Sequence, residues 1–352
     1  MATTYAIPDG RVAMAATLYT GTGAAASISN AVNGVSFQPD WVWTKTRNAA
    51  SSHRLTDSVR GVTKVLYSDL TDAEGTEAQG LLSFNTNGYT AGTGSSNQNG
   101  TTYVGWQWKA GGTAVSNTAG SITSSVSANT TAGFSVVTYT GTGAVGATVG
   151  HGLGVAPSLI IQKPRSAGTS DDNWHVYHSS IGATGALSLN TTSGTSTSAV
   201  WWNNTAPTST VFTVGGSGAA GYTNNNGSTY VAYCFAPVAG YSAFGSYVGN
   251  GSSDGSFIYT GMRPRFIMIK GSSFASNWFV IDTSRSAYNV SLDALRPNLS
   301  GAEVNSPTTT YSIDILSNGF KLRTSAADSN TNGATFIYMA FAENPFKYAN
   351  AR

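Results

Sequence analysis

The sequence has a single cysteine, Cys234, in 352 residues, which excludes an intrachain disulfide framework and any multi-cysteine metal site. Charge is scarce as well. Asp, Glu, Lys and Arg make up 10% of the chain and the net charge is +2. No Lys/Arg block is present, so the electrostatic footprint of nucleic-acid capture is missing. No apolar run approaches the roughly 18 residues needed to span a bilayer, and membrane insertion is not expected. The first nine residues lack a basic stretch and residues 13–18 form a poor apolar region, so a secretory leader is not expected. Long helices lack material, because the chain is rich in Gly (41 residues), Ser, Thr and Asn, all poor helix formers. Aromatic residues are not lacking. At 11% they can fill several small cores, which excludes a disordered low-complexity chain.

What is present is a segment that occurs three times. It reads Asn99-Gly-Thr-Thr-Tyr-Val-Gly-Trp-Gln-Trp108, Asn226-Gly-Ser-Thr-Tyr-Val-Ala-Tyr-Cys-Phe235 and Asn332-Gly-Ala-Thr-Phe-Ile-Tyr-Met-Ala-Phe341. Asn-Gly tolerates positive φ and suits a tight turn, and the aromatic and β-branched run that follows has strand length. With a side-chain period of two, one face of each copy is bulky: Val104, Trp106 and Trp108; Val231, Tyr233 and Phe235; Ile337, Met339 and Phe341. That face is expected to enter a core.

Other markers recur at matching places. Tyr19-Thr-Gly-Thr-Gly23, Tyr139-Thr-Gly-Thr-Gly143 and Tyr247-Val-Gly-Asn-Gly251 open the three copies. Pro39 to Lys45, Pro157 to Lys163 and Pro264 to Lys270 share one spacing, and their apolar runs do not alternate, which predicts strands buried on both faces. Beyond them come His53-Arg-Leu-Thr-Asp57, Trp174-His-Val-Tyr-His178 and Trp278-Phe-Val-Ile-Asp282. The first and third copies also share an Arg three residues later, Arg60 and Arg285. Asn87-Gly-Tyr89 and Asn318-Gly-Phe320 read as hairpin turns. Short helices are considered only near Asp69–Gln79 and Val290–Leu295.

The expected fold is all-β: three tandem β-sandwich repeats, jelly-roll or concanavalin-like, with a short N-terminal arm. Residues 1–18 are read as a docking arm or a first strand. The repeats are placed at 19–112, 133–240 and 241–352, with 111–132 as a linker or loose surface strand.

Catalysis needs convergent titratable groups, and the sequence offers few. His175 and His178 with Asp171 and Asp172 form the best metal-like cluster, but residues three apart in a strand point to opposite faces, so no metal site is expected. The acidic group Asp69, Asp72, Glu74 and Glu77 is read as a solvated turn or helix start. No nucleophile elbow or phosphate-binding loop is present. Cys234 matches Gln107 and Ala340 in the other copies, which marks a packing position. No enzyme activity and no cofactor are expected. The one suggestive patch is Trp201-Trp202 followed by two Asn, with Tyr222 downstream, which could stack on sugar rings; the plainer reading puts one Trp in the core and one at a domain boundary. The Asn-x-Ser/Thr triplets at Asn129, Asn190 and Asn289 are read as products of composition.

The run Phe37-Gln-Pro-Asp-Trp-Val-Trp-Thr-Lys-Thr-Arg47 and the run Ser52-His-Arg-Leu-Thr-Asp-Ser-Val-Arg-Gly61 resemble repeat domains in virion structural proteins of tailed phages, especially those of marine and cyanobacterial hosts. Val149 to Pro157 and the C-terminal Tyr338 to Arg352 resemble them too. The resemblance covers nearly all of the chain after residue 18 and implies a place in a phage particle, tail rather than head, after synthesis in the host cytoplasm. It carries no catalytic residue. It implies a tail fibre or tail-tip protein with other virion proteins and copies of itself, a trimer, as partners, and a host surface glycan as the ligand. The alternatives are a capsid decoration, spike or tail connector protein, and, last, a glycan-degrading tail spike.

Overall fold

The computed structural model describes residues 6–168, 171–215, 222–305 and 310–342. The protein is all-β, with several separate sheets and, among the described residues, no closed barrel. Three of these sheets contain the same four-strand unit in the same order. An opening strand (Met14–Thr20, Phe134–Thr140 or Ser242–Val248) pairs with an Asn-Gly strand (Thr102–Trp108, Thr229–Phe235 or Thr335–Ala342). That strand pairs with a Lys strand (Trp41–Thr46, Leu159–Pro164 or Pro264–Gly271), which pairs with a cross strand (Arg54–Asp57, His175–His178 or Trp278–Asp282). All pairings are antiparallel.

The Lys strands are buried along their whole length, as their continuous apolar runs predict. One face of each sheet packs on a smaller outer sheet of the same repeat. In the first repeat that sheet is Ala26–Ser29, Gly88–Ala91 and Leu81–Asn85. In the second it is Thr148–Gly150 with Val211–Thr213, and in the third Phe257–Tyr259, Gly319–Leu322 and Ile313–Leu316. Each repeat has its own apolar cluster between these layers.

The other face meets the other repeats. All nine bulky residues of the Asn-Gly strands lie in one cluster that draws on all three repeats. Their last aromatics close a triangle: Trp108 to Phe235 is 6.4 Å between ring centroids, Phe235 to Phe341 is 5.7 Å, and Trp108 to Phe341 is 5.9 Å. The largest core of the molecule is thus shared by segments more than 100 residues apart, and only outer cores belong to single repeats.

Glycine sets the loops that open each repeat. In Tyr139-Thr-Gly-Thr-Gly143 a Cβ on Gly141 would sit 2.3 Å from the Asn225 carbonyl oxygen, and Gly143 has φ +71°. The first glycine permits close backbone approach and the second a left-handed turn.

Three expectations change. Residues 14–18 are no free arm: Met14–Thr20 pairs with Thr102–Trp108 along its full length, and Ile7, Ala13 and Met14 enter the shared core. Residues 1–5 lie outside the described residues. The 111–132 segment is not loose, because Val115–Asn117 and Ser124–Asn129 extend the second repeat's sheet beside Phe134–Thr140. Neither candidate helix forms. The stretch from Asp69 carries a two-residue strand at Gly75–Thr76, and that from Val290 carries one at Asp293–Ala294.

Candidate functional site

The chemistry-bearing residues converge on the seams between repeats. In each repeat a strand-turn-strand extension follows the cross strand: 64–76, 185–197 and 293–305. Each extension docks on the Lys strand of another repeat. Lys163 Nζ donates to the Thr71 carbonyl at 2.9 Å, Lys270 Nζ to the Thr192 carbonyl at 2.9 Å, and Lys45 Nζ to the Ser300 carbonyl at 3.1 Å. The backbone repeats the pattern. The amide N–H groups of Glu74, Thr195 and Glu303 donate to the carbonyls of Arg165, Ser272 and Arg47. First to second, second to third and third to first, the three contacts close a ring.

Burial drives each of the three ammonium groups down from its ordinary value, to about 8. The cost is offset by carbonyl acceptors: Lys163 also reaches Asp172 O, Lys270 reaches Ser276 O, and Lys45 reaches Thr46 O.

Two seams add carboxylate–guanidinium networks. Glu74 accepts from Arg165 Nε at 2.9 Å and from Arg60 Nη1 at 3.1 Å. Glu303 accepts from Arg47 Nη2 at 2.7 Å and from Arg285 Nη1 at 3.0 Å. Burial raises the Glu74 carboxyl, but Arg165 and Arg60 together hold it below its usual range. Behind them lie fully buried pairs. Arg60 Nε bonds Asp57 Oδ2 at 2.5 Å, and Arg285 Nε bonds Asp282 Oδ2 at 2.6 Å. Each Asp takes one further donor from the next repeat, Tyr233 Oη on Asp57 and Trp106 Nε1 on Asp282. The second repeat carries His178 and Ile181 at the matching places, and the third has Met339 where the others have Trp106 and Tyr233, so this seam is less polar. His178 Nε2 lies 3.2 Å from the Tyr338 carbonyl oxygen, and burial pushes the imidazole down to about 4.

Of the acidic group read as a solvated turn, Glu74 is a seam residue, Glu77 pairs with Arg54 of its own repeat, and Asp72 is exposed as expected. Asp69 accepts the His53 backbone N–H, and Asn190 and Asn298 do the same for Trp174 and Trp278. The sequence signal that could have revealed the seams was present in the invariant Pro-to-Lys spacing, which served only to mark strands.

The aromatic pair offered as a sugar-stacking patch, with one Trp expected in the core and one at a domain boundary, is buried at both positions. Trp202 is 1% exposed and Trp201 9%, both within the second repeat's own cluster, with Tyr222 half-buried against it. A stacking platform needs a free ring face, and neither indole offers one here. Two consecutive left-handed residues, Asn203 (φ +47°) and Asn204 (φ +52°), turn the chain directly after the pair. His175 and His178 do point apart, as their spacing requires: His175 packs near Trp201 and Tyr222, and His178 reaches the third repeat. Among the described residues no group of three or more His, Cys, Asp and Glu is placed to hold a metal ion. Cys234 packs in the second repeat's cluster, and burial raises its thiol well above the ordinary value. Asn129, Asn190 and Asn289 all spend their side-chain amides on internal hydrogen bonds.

Sequence reasoning missed one motif. The residue two before each Asn-Gly asparagine is also Asn, and all three, Asn97, Asn224 and Asn330, are buried. Their Oδ1 atoms accept the N–H groups of Thr22, Thr142 and Asn250, and so tie the opening loop of each repeat to its last hairpin. Among the described residues no helix is long and apolar enough to cross a membrane. The surface carries open depressions, one of them lined mainly by Ser and Thr. This one, of about 350 Å³, lies on the second repeat between Ser125, Thr138 and Arg165. No curated protein and no solved structure matches the chain. One family model matches continuously across all three repeats, over residues 12–345, and the chain belongs to that family, described as Domain of unknown function (DUF7483).

Proposed function

We propose that the chain is a structural protein of a tailed-phage particle, a tail fibre or tail-tip component that contacts the host surface. In this reading each repeat is a sandwich of jelly-roll or concanavalin type, and the three stand in tandem. The observation that carries the reading is the closed ring of seams. Three buried lysines, the arginines Arg47, Arg60, Arg165 and Arg285, and six of the eight tryptophans are committed to holding three repeats in one body, which suits a part that bears load and presents its outer faces. The motif resemblance from Phe37 to Gly61 and at Val149 to Pro157 supports the place in a particle. The last residues of that resemblance, 343–352, lie outside the described residues. The expected partners are other virion proteins, further copies of the chain in a trimer, and a host surface glycan. A second reading, a capsid decoration protein or tail connector, draws on the same ring, because a threefold-like body fits the threefold positions of a lattice.

Competition tests the proposal. Host cells are saturated with purified protein and the phage that still adsorb are counted. Strong inhibition is expected. Undiminished adsorption with folded protein would remove host contact and leave the decoration or connector reading.

A further inference from the structure

The outer sheet of the third repeat carries aromatic residues that the fold does not require. Phe257 is 46% exposed and Tyr259 67%, two apart on one strand, so both project from the face opposite the buried Ile258. The same register positions hold Ser27 and Ser29 in the first repeat and Thr148 and Gly150 in the second. Across the sheet Tyr259 pairs with Gly319, which has no side chain, and the Phe257 ring lies close over that glycine. The result is a flat shelf. Tyr288, 87% exposed, stands at its far side, where Asn289 bonds both backbone groups of Ile315. Charged groups share and border this face: Lys321 pairs directly across from Phe257, Asp254 bonds Lys321 at 2.6 Å and Arg323 at 3.4 Å, and Arg323 bonds Asp314 at 2.5 Å.

We propose that this shelf binds an uncharged oligosaccharide by stacking sugar rings on Tyr259 and Phe257. Two features choose the ligand. An aromatic side chain offers about 150–250 Å², so Phe257 and Tyr259, 46% and 67% exposed, offer about 200 Å² together. That is about a quarter of the roughly 800 Å² per partner in a stable protein interface, but enough for a sugar ring on each aromatic. The rim holds two carboxylates against two cations, so it supplies hydrogen-bonding groups without net attraction for an acidic polymer. The choice of a glycan over an internal partner rests on the host-contact reading above.

The test is affinity electrophoresis of the full chain in gels containing dextran, galactomannan or xyloglucan, with alginate as the acidic comparison. Retardation by at least one neutral polymer, insensitive to salt, is expected. The double variant Phe257→Ala/Tyr259→Ala should weaken it at least about tenfold, as loss of aromatic stacking implies. Both positions are exposed, and an unchanged thermal midpoint verifies the fold. No retardation by any neutral polymer, retardation by alginate alone, or an unaffected double variant would overturn the proposal. The adsorption assay with the same two proteins separates the two claims. Equal blocking by both proteins keeps host contact and removes the shelf. Retardation without any blocking keeps the shelf and removes host contact.

Discussion

Tyr233 of the second repeat donates its hydroxyl to Asp57 of the first at 2.8 Å, inside a core where neither side chain meets water. Trp106 of the first repeat donates its indole N–H to Asp282 of the third at 2.9 Å. Each carboxylate also holds an arginine three residues on, and the Arg285 guanidinium keeps the Asp282 carboxyl below its usual range against the opposing effect of burial. Removing one partner of such a pair leaves a buried charge unmatched. Arg60→Met and Arg285→Met are each expected to cost about 3–5 kcal/mol in urea unfolding. The surface pair Arg323–Asp254, whose carboxylate stands in solvent, should contribute little by comparison. A small loss in Arg60→Met would mean that the seam relaxes around it.

Stability should depend on pH in two windows. Burial lowers the imidazoles of His175 and His178 from 6.5 to about 4. Between those values the unfolded chain binds more protons, so the histidine contribution is fully present above pH 6.5 and is lost as pH drops toward about 4, by about 3 kcal/mol per His. The seam lysines, lowered from 10.5 to about 8, act in the same sense higher up. There too the unfolded chain holds the extra protons, and stability rises as pH climbs through that window. Tyr67 and Tyr230 are raised to about 12, keep their protons longer when folded, and reverse the trend above their ordinary value of 10.0. Urea midpoints at about pH 5, 7 and 9.5 should therefore increase in that order. A flat or falling series would contradict the burial of these groups.

Much of this was legible in the sequence. The bulky face of the Asn-Gly strand enters a core at all nine positions, because period two leaves no other choice once the turn fixes register. The doubly buried Lys strand and the divergence of His175 and His178 follow from equally local rules. What was not legible is where that core lies. Nothing in Trp108, Phe235 or Phe341 taken singly says that the three meet one another. Lys45, Lys163 and Lys270 were visible as a motif, but a lysine at a strand end ordinarily reaches solvent, and only the partner repeat makes it a buried donor. Trp201-Trp202 misled for the opposite reason: alternation predicts one exposed indole, whereas the chain there is a turn, not a strand, and both rings fold inward.

The buried asparagines give a sharper prediction than any charged group. Asn330 accepts the N–H of Asn250 and donates to the carbonyls of Ser252 and Thr324. Asn330→Ala orphans these backbone groups, at about 1–3 kcal/mol for each left unsatisfied. Hydrogen exchange should accelerate at Asn250 first, since its N–H loses its acceptor. Protection unchanged at that amide would show that the asparagine is not what holds the loop.

Aromatic substitutions should divide by burial. Trp202→Ala removes a ring that is 1% exposed and should cost about 3–5 kcal/mol. Tyr259→Ala removes one that is 67% exposed and should stay within about 0.5 kcal/mol of wild type. Thermal midpoints of the two variants, read together, check the assignment of core and surface.

The claim on which the rest depends is that three repeats share one core and close as a ring. Differential scanning calorimetry of the intact chain tests it most directly. A shared core predicts one transition whose calorimetric and van't Hoff enthalpies agree. Three resolved transitions, or a van't Hoff enthalpy near a third of the calorimetric one, would mean that the repeats unfold separately, and the ring would have to be abandoned.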